Sequence, residues 1–120
     1  MMRYMVVSLL LVLLAILVWI STAAKDDEAL TGRGQQLMAT NCARCHAIGR
    51  TGNSTHPEAP PFRTLGQRYP IDNLAEALAE GLSTGHPDMP EFVFEVEDVG
   101  TILAYLHSIQ SPGNAPPAKK

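Results

Sequence analysis

Cys42-Ala43-Arg44-Cys45-His46 is the stretch whose reading decides the rest of this chain. On a turn of helix, residues three and four apart share a face, so Cys42, Cys45 and His46 can approach one flat ligand together. Two thiols can bond covalently to the edge of such a ligand while the adjacent imidazole reaches a metal at its centre. One pentapeptide then fixes a cofactor's position, its tilt and one bond to its metal. C-x-x-C-H is the spacing by which haem is held covalently. A bare C-x-x-C also serves as a redox dithiol or as half of a zinc site. No strand–helix alternation surrounds the pair, which weakens the dithiol reading. A zinc site would need partners from His56, His86 or a carboxylate, at unfamiliar spacings.

Upstream, Met5–Ile20 is apolar apart from Ser8, with Arg3 before it. Ser21-Thr22-Ala23-Ala24 supplies small residues and Lys25-Asp26-Asp27-Glu28 a polar cluster. That order is the layout of a secretory signal peptide. Counted from Tyr4 the run is about 17 residues, long for a signal core and at the lower edge of what spans a bilayer. Residues 1–24 are therefore a signal peptide or an uncleaved N-terminal anchor that associates with the membrane through residues 4–20. A cleaved form would begin at Ala24 or Lys25. Either way the basic-before, acidic-after arrangement keeps the N-terminus inside and exports the remainder. The product is periplasmic or exported, soluble after cleavage or held on the inner membrane facing the periplasm.

Residues 25–110 form the one domain the length allows, and 111–120 are expected to be a disordered Pro/Ala/Lys tail. A unit of this size has a marginal hydrophobic core without a staple. Two cysteines three apart close no useful disulfide loop, whereas a covalently held porphyrin would itself be an apolar core. The chain carries a net charge of −3, with nine Lys/Arg against twelve Asp/Glu. An acidic domain without a basic stripe argues against nucleic acid and suits a partner with a basic docking patch.

In chain order, Ala29–Asn41 reads as a helix with Thr31 as a candidate N-cap. Leu30, Gly34, Leu37, Met38 and Asn41 fall on one face, with Gly34 placed for a close helix crossing. From Ala47 to Pro70 the sequence is rich in Gly and Pro, an irregular stretch anchored by Phe62, Leu65 and Tyr69 that wraps the cofactor edge. Ile71–Gly81 returns to helix, with Asn73 and Glu76 as a capping box and Gly81 as its C-terminal stop. Leu82–Phe94 is irregular again. Val96–Ile109 is the clearest helix, striped by Val99, Ile102, Leu103, Leu106 and Ile109, with Glu97 and Asp98 in its first turn.

If His46 binds an iron, a second axial position remains. The candidates after it are His56, His86, Met89 and His107. Met89 lies in the stiff loop Pro87-Asp88-Met89-Pro90, off any helical stripe where a packing methionine would sit. It is the first choice and His86 the second. His107 reads as a surface residue and His56 as a loop residue.

Taken together, the region from Ala29 to Ile109 resembles a small monohaem class I cytochrome c of the bacterial exported type. The resemblance rests on Gly34 and Met38 before the haem motif and Cys42-Ala43-Arg44-Cys45-His46 itself. It continues in Ala59-Pro60-Pro61-Phe62, Asp88-Met89-Pro90-Glu91-Phe92 and Ala104-Tyr105-Leu106. It implies an all-α fold of about three to four short helices around one covalently attached haem c. The implied metal ligands are His46 and Met89, with Cys42 and Cys45 as attachment points and the Pro60 carbonyl as hydrogen-bond partner of His46. Arg63, Arg68 and Tyr69 are candidates for holding the propionates. The implied function is one-electron shuttling, not enzyme catalysis, between redox protein partners such as a dehydrogenase, an oxidase or a cytochrome complex. The molecule is expected to be a monomer unless held in such a complex. Alternatives are a subunit of a dehydrogenase or oxidase, a ligand sensor or peroxidase-like protein if the methionine ligand is labile, and a thiol–disulfide oxidoreductase.

Overall fold

No proline precedes Pro57 and no glycine precedes Gly32, so nothing early in the chain interrupts a helix. The computed structural model describes residues 2–81 and 88–110, and shows one helix, α1, over Met2–Asn41. His86 and the tail 111–120 lie outside the described residues. Thr31 is therefore not an N-cap: it sits inside α1, and its hydroxyl donates to the carbonyls of Asp27 and Glu28. Ser21 and Thr22 do the same to Leu17 and Trp19. Their hydroxyls satisfy themselves on the helix's own carbonyls, which lets polar side chains continue an apolar helix without a break.

After the Cys42–His46 turn come two 3₁₀ turns, Phe62–Gln67 and Ile71–Asn73, then α2, Leu74–Glu80, and α3, Val96–Ile109. Among the described residues there is no strand. The expected Asn73/Glu76 capping box is absent. Asn73 has helical backbone angles and its side chain caps nothing, because the 3₁₀ turn after Pro70 already supplies carbonyl partners. The Asn73 N–H bonds the Pro70 carbonyl, and the Leu74 N–H those of Ile71 and Asp72. Gly81 does end α2, at φ 113°, where a side chain would be strained.

The core lies where α1 and α3 cross. Met38, Leu65, Ile71, Ile102, Tyr105, Leu106 and Ile109 form one buried cluster. Gly34 sits at the crossing. A Cβ there would lie 2.7 Å from the Thr101 carbonyl carbon and 2.9 Å from Tyr105 Cβ, and nearer still to the Thr101 oxygen. The contact adds Thr101 and Tyr105 to the α3 face read from sequence, while Leu103 is only half-buried. Leu30 is 49% exposed, since it lies beyond the start of α3. Arg33 pairs with Asp98 at the edge of the crossing.

Gln110 closes the far end of α3. Its Oε1 accepts the buried Gly66 N–H at 2.9 Å, and its Nε2 donates to the Phe62 and Leu106 carbonyls, each at 2.9 Å. Gln110→Ala would strand the Gly66 N–H and the Phe62 carbonyl, and should lower unfolding free energy by about 2 kcal/mol in chemical denaturation.

Candidate functional site

α1 delivers the chain directly into the Cys-x-x-Cys-His turn. The Cys42 N–H bonds the Met38 carbonyl at 2.9 Å, and the His46 N–H bonds the Cys42 carbonyl at 3.0 Å. This extra helical turn puts Cys42, Cys45 and His46 on the wall of a cavity of about 520 Å³. The loop after the turn folds back on it. The Phe62 N–H donates to Ala47 O at 2.9 Å, the Ala47 N–H to Ser54 Oγ at 3.0 Å, and the Thr55 hydroxyl to Arg44 O. The returning chain places the Pro60 carbonyl 2.8 Å from His46 Nδ1. A carbonyl only accepts, so Nδ1 carries the hydrogen and Nε2 keeps its lone pair. Phe62 stacks on the imidazole with ring centroids 4.4 Å apart. The His46 ring is thus held both in tautomer and in plane.

Met89 and Pro90 line the same cavity, together with Met38, Leu65, Ile102 and Leu106 from the core. Of the three arginine and tyrosine candidates, Arg68 and Tyr69 reach the cavity. Arg63 does not: its guanidinium donates to the Gly52 carbonyl at 2.8 Å. Arg44 lines the cavity instead, a role its place inside the motif does not announce, and so does His56, which the sequence offers as a ligand candidate and then as a loop residue. His107 is exposed, with Nε2 2.7 Å from Asp72 Oδ1, away from the site.

The electrostatics of the wall bear on thiol chemistry. Burial pushes the Cys42 thiol up to about 11, the reverse of the lowered value that activates a dithiol oxidoreductase. Cys42 and Cys45 are thiols not joined to each other. Burial also raises the Tyr69 hydroxyl above its ordinary value, an effect the Arg68 charge partly offsets. Tyr105, buried in the core with its hydroxyl on Ile48 O at 3.1 Å, is raised by burial too, with Arg50 partly offsetting. A tyrosine that keeps its proton longer when folded adds stability that is complete below its unfolded pKa, about 10, and is lost as pH rises through the folded value. Melting temperature should therefore fall above about pH 10. Tyr105→Phe should make that fall shallower while costing about 1 kcal/mol at neutral pH.

A family model described as "Cytochrome c" matches residues 32–110, which contain this whole constellation. The chain belongs to the cytochrome c family. Cytochrome c-552 of Bradyrhizobium diazoefficiens is 30% identical over 94 residues, covering 76% of this chain and 88% of the relative. Cytochrome c oxidase subunit 2 of Alkalihalophilus pseudofirmus is 29% identical over 102 residues, 72% of this chain but 28% of the subunit. The cbb3-type cytochrome c oxidase subunit CcoP of Rubrivivax gelatinosus is 31% identical over 87 residues, again 72% and 28%. No solved structure matches. Membership makes this cytochrome an electron carrier with covalently bound haem c. The cavity fits that group: its volume lies within the range of cofactor sites, and its wall offers two thiols and one imidazole with a free Nε2 lone pair.

Proposed function

We propose that Cys42 and Cys45 hold the haem through thioether bonds and that His46 and Met89 are its two axial ligands. Each thiol would supply an S–H that can add across one vinyl double bond, sulfur to one carbon and hydrogen to the other, so attachment would consume no oxidant. The bound haem supplies one iron that takes up and gives back a single electron. His46 Nδ1–H donates to the Pro60 carbonyl, which orients the ring and raises the basicity of Nε2. Met89 contributes a thioether, which favours the reduced state over a second histidine. The apolar wall from Met38, Leu65, Phe62 and Leu106 excludes water and penalises the more highly charged oxidised state. With His46 and Met89 both holding the group, no position on it would be left for a substrate. The observation that carries this reading is the 2.8 Å contact between His46 Nδ1 and Pro60 O, because it prepares the other nitrogen for a metal. Arg68, Tyr69 and Arg44 are the side chains on the cavity suited to the propionates.

The apolar part of α1 is proposed to stay attached as a membrane anchor. Side chains from Tyr4 to Ile20 are exposed throughout, and the two aromatics, Tyr4 and Trp19, sit near the two ends of the run. Aromatic residues at both ends suit the two interfaces of a bilayer. Because the helix carries on through Ser21–Ala24, the stretch from Tyr4 to Ala24 is about 30 Å long, matching a hydrocarbon core. The haem domain then works at the periplasmic face, exchanging electrons with membrane-bound redox proteins. Its net negative charge suits a partner with a basic docking patch.

Intact mass of the protein purified from membranes tests both parts. The expected mass is the chain from its N-terminal methionine plus one haem that survives acid-acetone extraction. A chain starting at Ala24 or Lys25 would remove the anchor, and haem lost to the solvent would remove the attachment.

A further inference from the structure

His56 has no part in the haem chemistry above, yet it bridges two walls of the cavity. Its backbone N–H donates to the Cys45 carbonyl at 3.2 Å, fastening it to the haem-binding turn. Its Nδ1 accepts the Glu58 N–H at 3.3 Å, and its Nε2 lies 3.5 Å from Asp88 Oδ2. An amide N–H only donates, so Nδ1 is the bare nitrogen and Nε2 carries the hydrogen even in the neutral ring. The imidazole therefore presents an N–H to the Asp88 carboxylate without needing a positive charge. Asp88 immediately precedes Met89, and His56, Asp88 and Met89 all line the cavity. The other end of the methionine segment is fastened separately, by the Phe94 N–H on the Leu78 carbonyl at 2.9 Å.

We propose that His56 and Asp88 form a latch that holds the methionine segment against the haem-binding turn and sets how readily Met89 is displaced from the iron. His56 is a positioning residue in this account, acting through Asp88. The inference rests on the reading of Met89 as an axial ligand. A partly exposed polar pair of this kind is worth a few-fold in an equilibrium and not more.

The test is imidazole binding to the oxidised full-length holoprotein, followed by absorption at one fixed pH. His56→Leu and Asp88→Ala should each raise imidazole affinity roughly threefold to fivefold. The double variant should show no more than the larger single effect, because both changes open one latch. His56→Gln, which restores a side-chain N–H, should return affinity toward the wild-type value. Asp72→Asn, which breaks the unrelated His107 pair, should change nothing. Asp88 is exposed, so its variant keeps the proposal testable if His56→Leu misfolds. Unchanged affinity in Asp88→Ala, or fully additive effects in the double variant, would overturn the latch. A wild-type protein lacking the weak far-red ferric band of methionine–iron ligation would instead overturn the underlying ligand assignment.

Discussion

Gly34→Ala is expected to cost the haem domain about 3 kcal/mol or more, as a fall in melting temperature and a large loss of haem-loaded protein. The new methyl has no room at the α1–α3 crossing. Its nearest neighbours are the Thr101 backbone and Tyr105 Cβ, and neither is the movable end of a side chain. The helices must separate, and the cluster of Met38, Ile102, Tyr105 and Leu106 opens with them. Since Met38 and Leu106 also line the cavity, the damage reaches the site. Gly100→Ala is the matched control. A Cβ there meets nothing, so on helix propensity alone it should stabilise the domain by about 0.5–1 kcal/mol. Opposite signs from the same substitution would isolate the crossing as the cause.

Met89→Ala should produce the second large effect, this time on the iron. On the proposed ligation, losing the thioether would leave one iron position unfilled, so the far-red ferric band should vanish and the reduced protein should bind carbon monoxide. The midpoint potential should fall by roughly 0.1–0.2 V, a fraction of the ~0.8 V range that axial ligands span. The fold should survive, because Met89 lies outside the buried cluster and the segment stays fastened through Phe94. A variant that keeps both spectrum and potential would shift the assignment to another ligand, His86 being the one the sequence offers.

The features legible in the sequence were those that local spacing encodes. The Cys-x-x-Cys-His turn, the close approach at Gly34, the Gly81 stop and the α3 stripe each follow from residue type and helical period. What spacing could not show were bonds made across long separations. Gln110 reaches Gly66 and Phe62, and Tyr105 reaches Ile48; nothing near either residue announces its partner. In the sequence His56 is an ordinary loop residue, because its link to Asp88 exists only once the loop has folded back. Arg63 and Arg68 looked equivalent until the fold gave one to the Gly52 carbonyl and the other to the cavity. At the two helix starts, local cap signals lost to a wider context. Thr31 was absorbed into α1 by the unbroken helix before it, and Asn73 by the 3₁₀ turn after Pro70.

Spectroelectrochemical titration of the full-length holoprotein, run once under argon and once under carbon monoxide, tests the closed electron-carrying iron most directly. A carrier with both axial positions filled gives one reversible one-electron curve, with the same midpoint under either gas. A midpoint that carbon monoxide moves upward would mean an open iron, and would contradict the assignment of this cytochrome as a simple electron carrier.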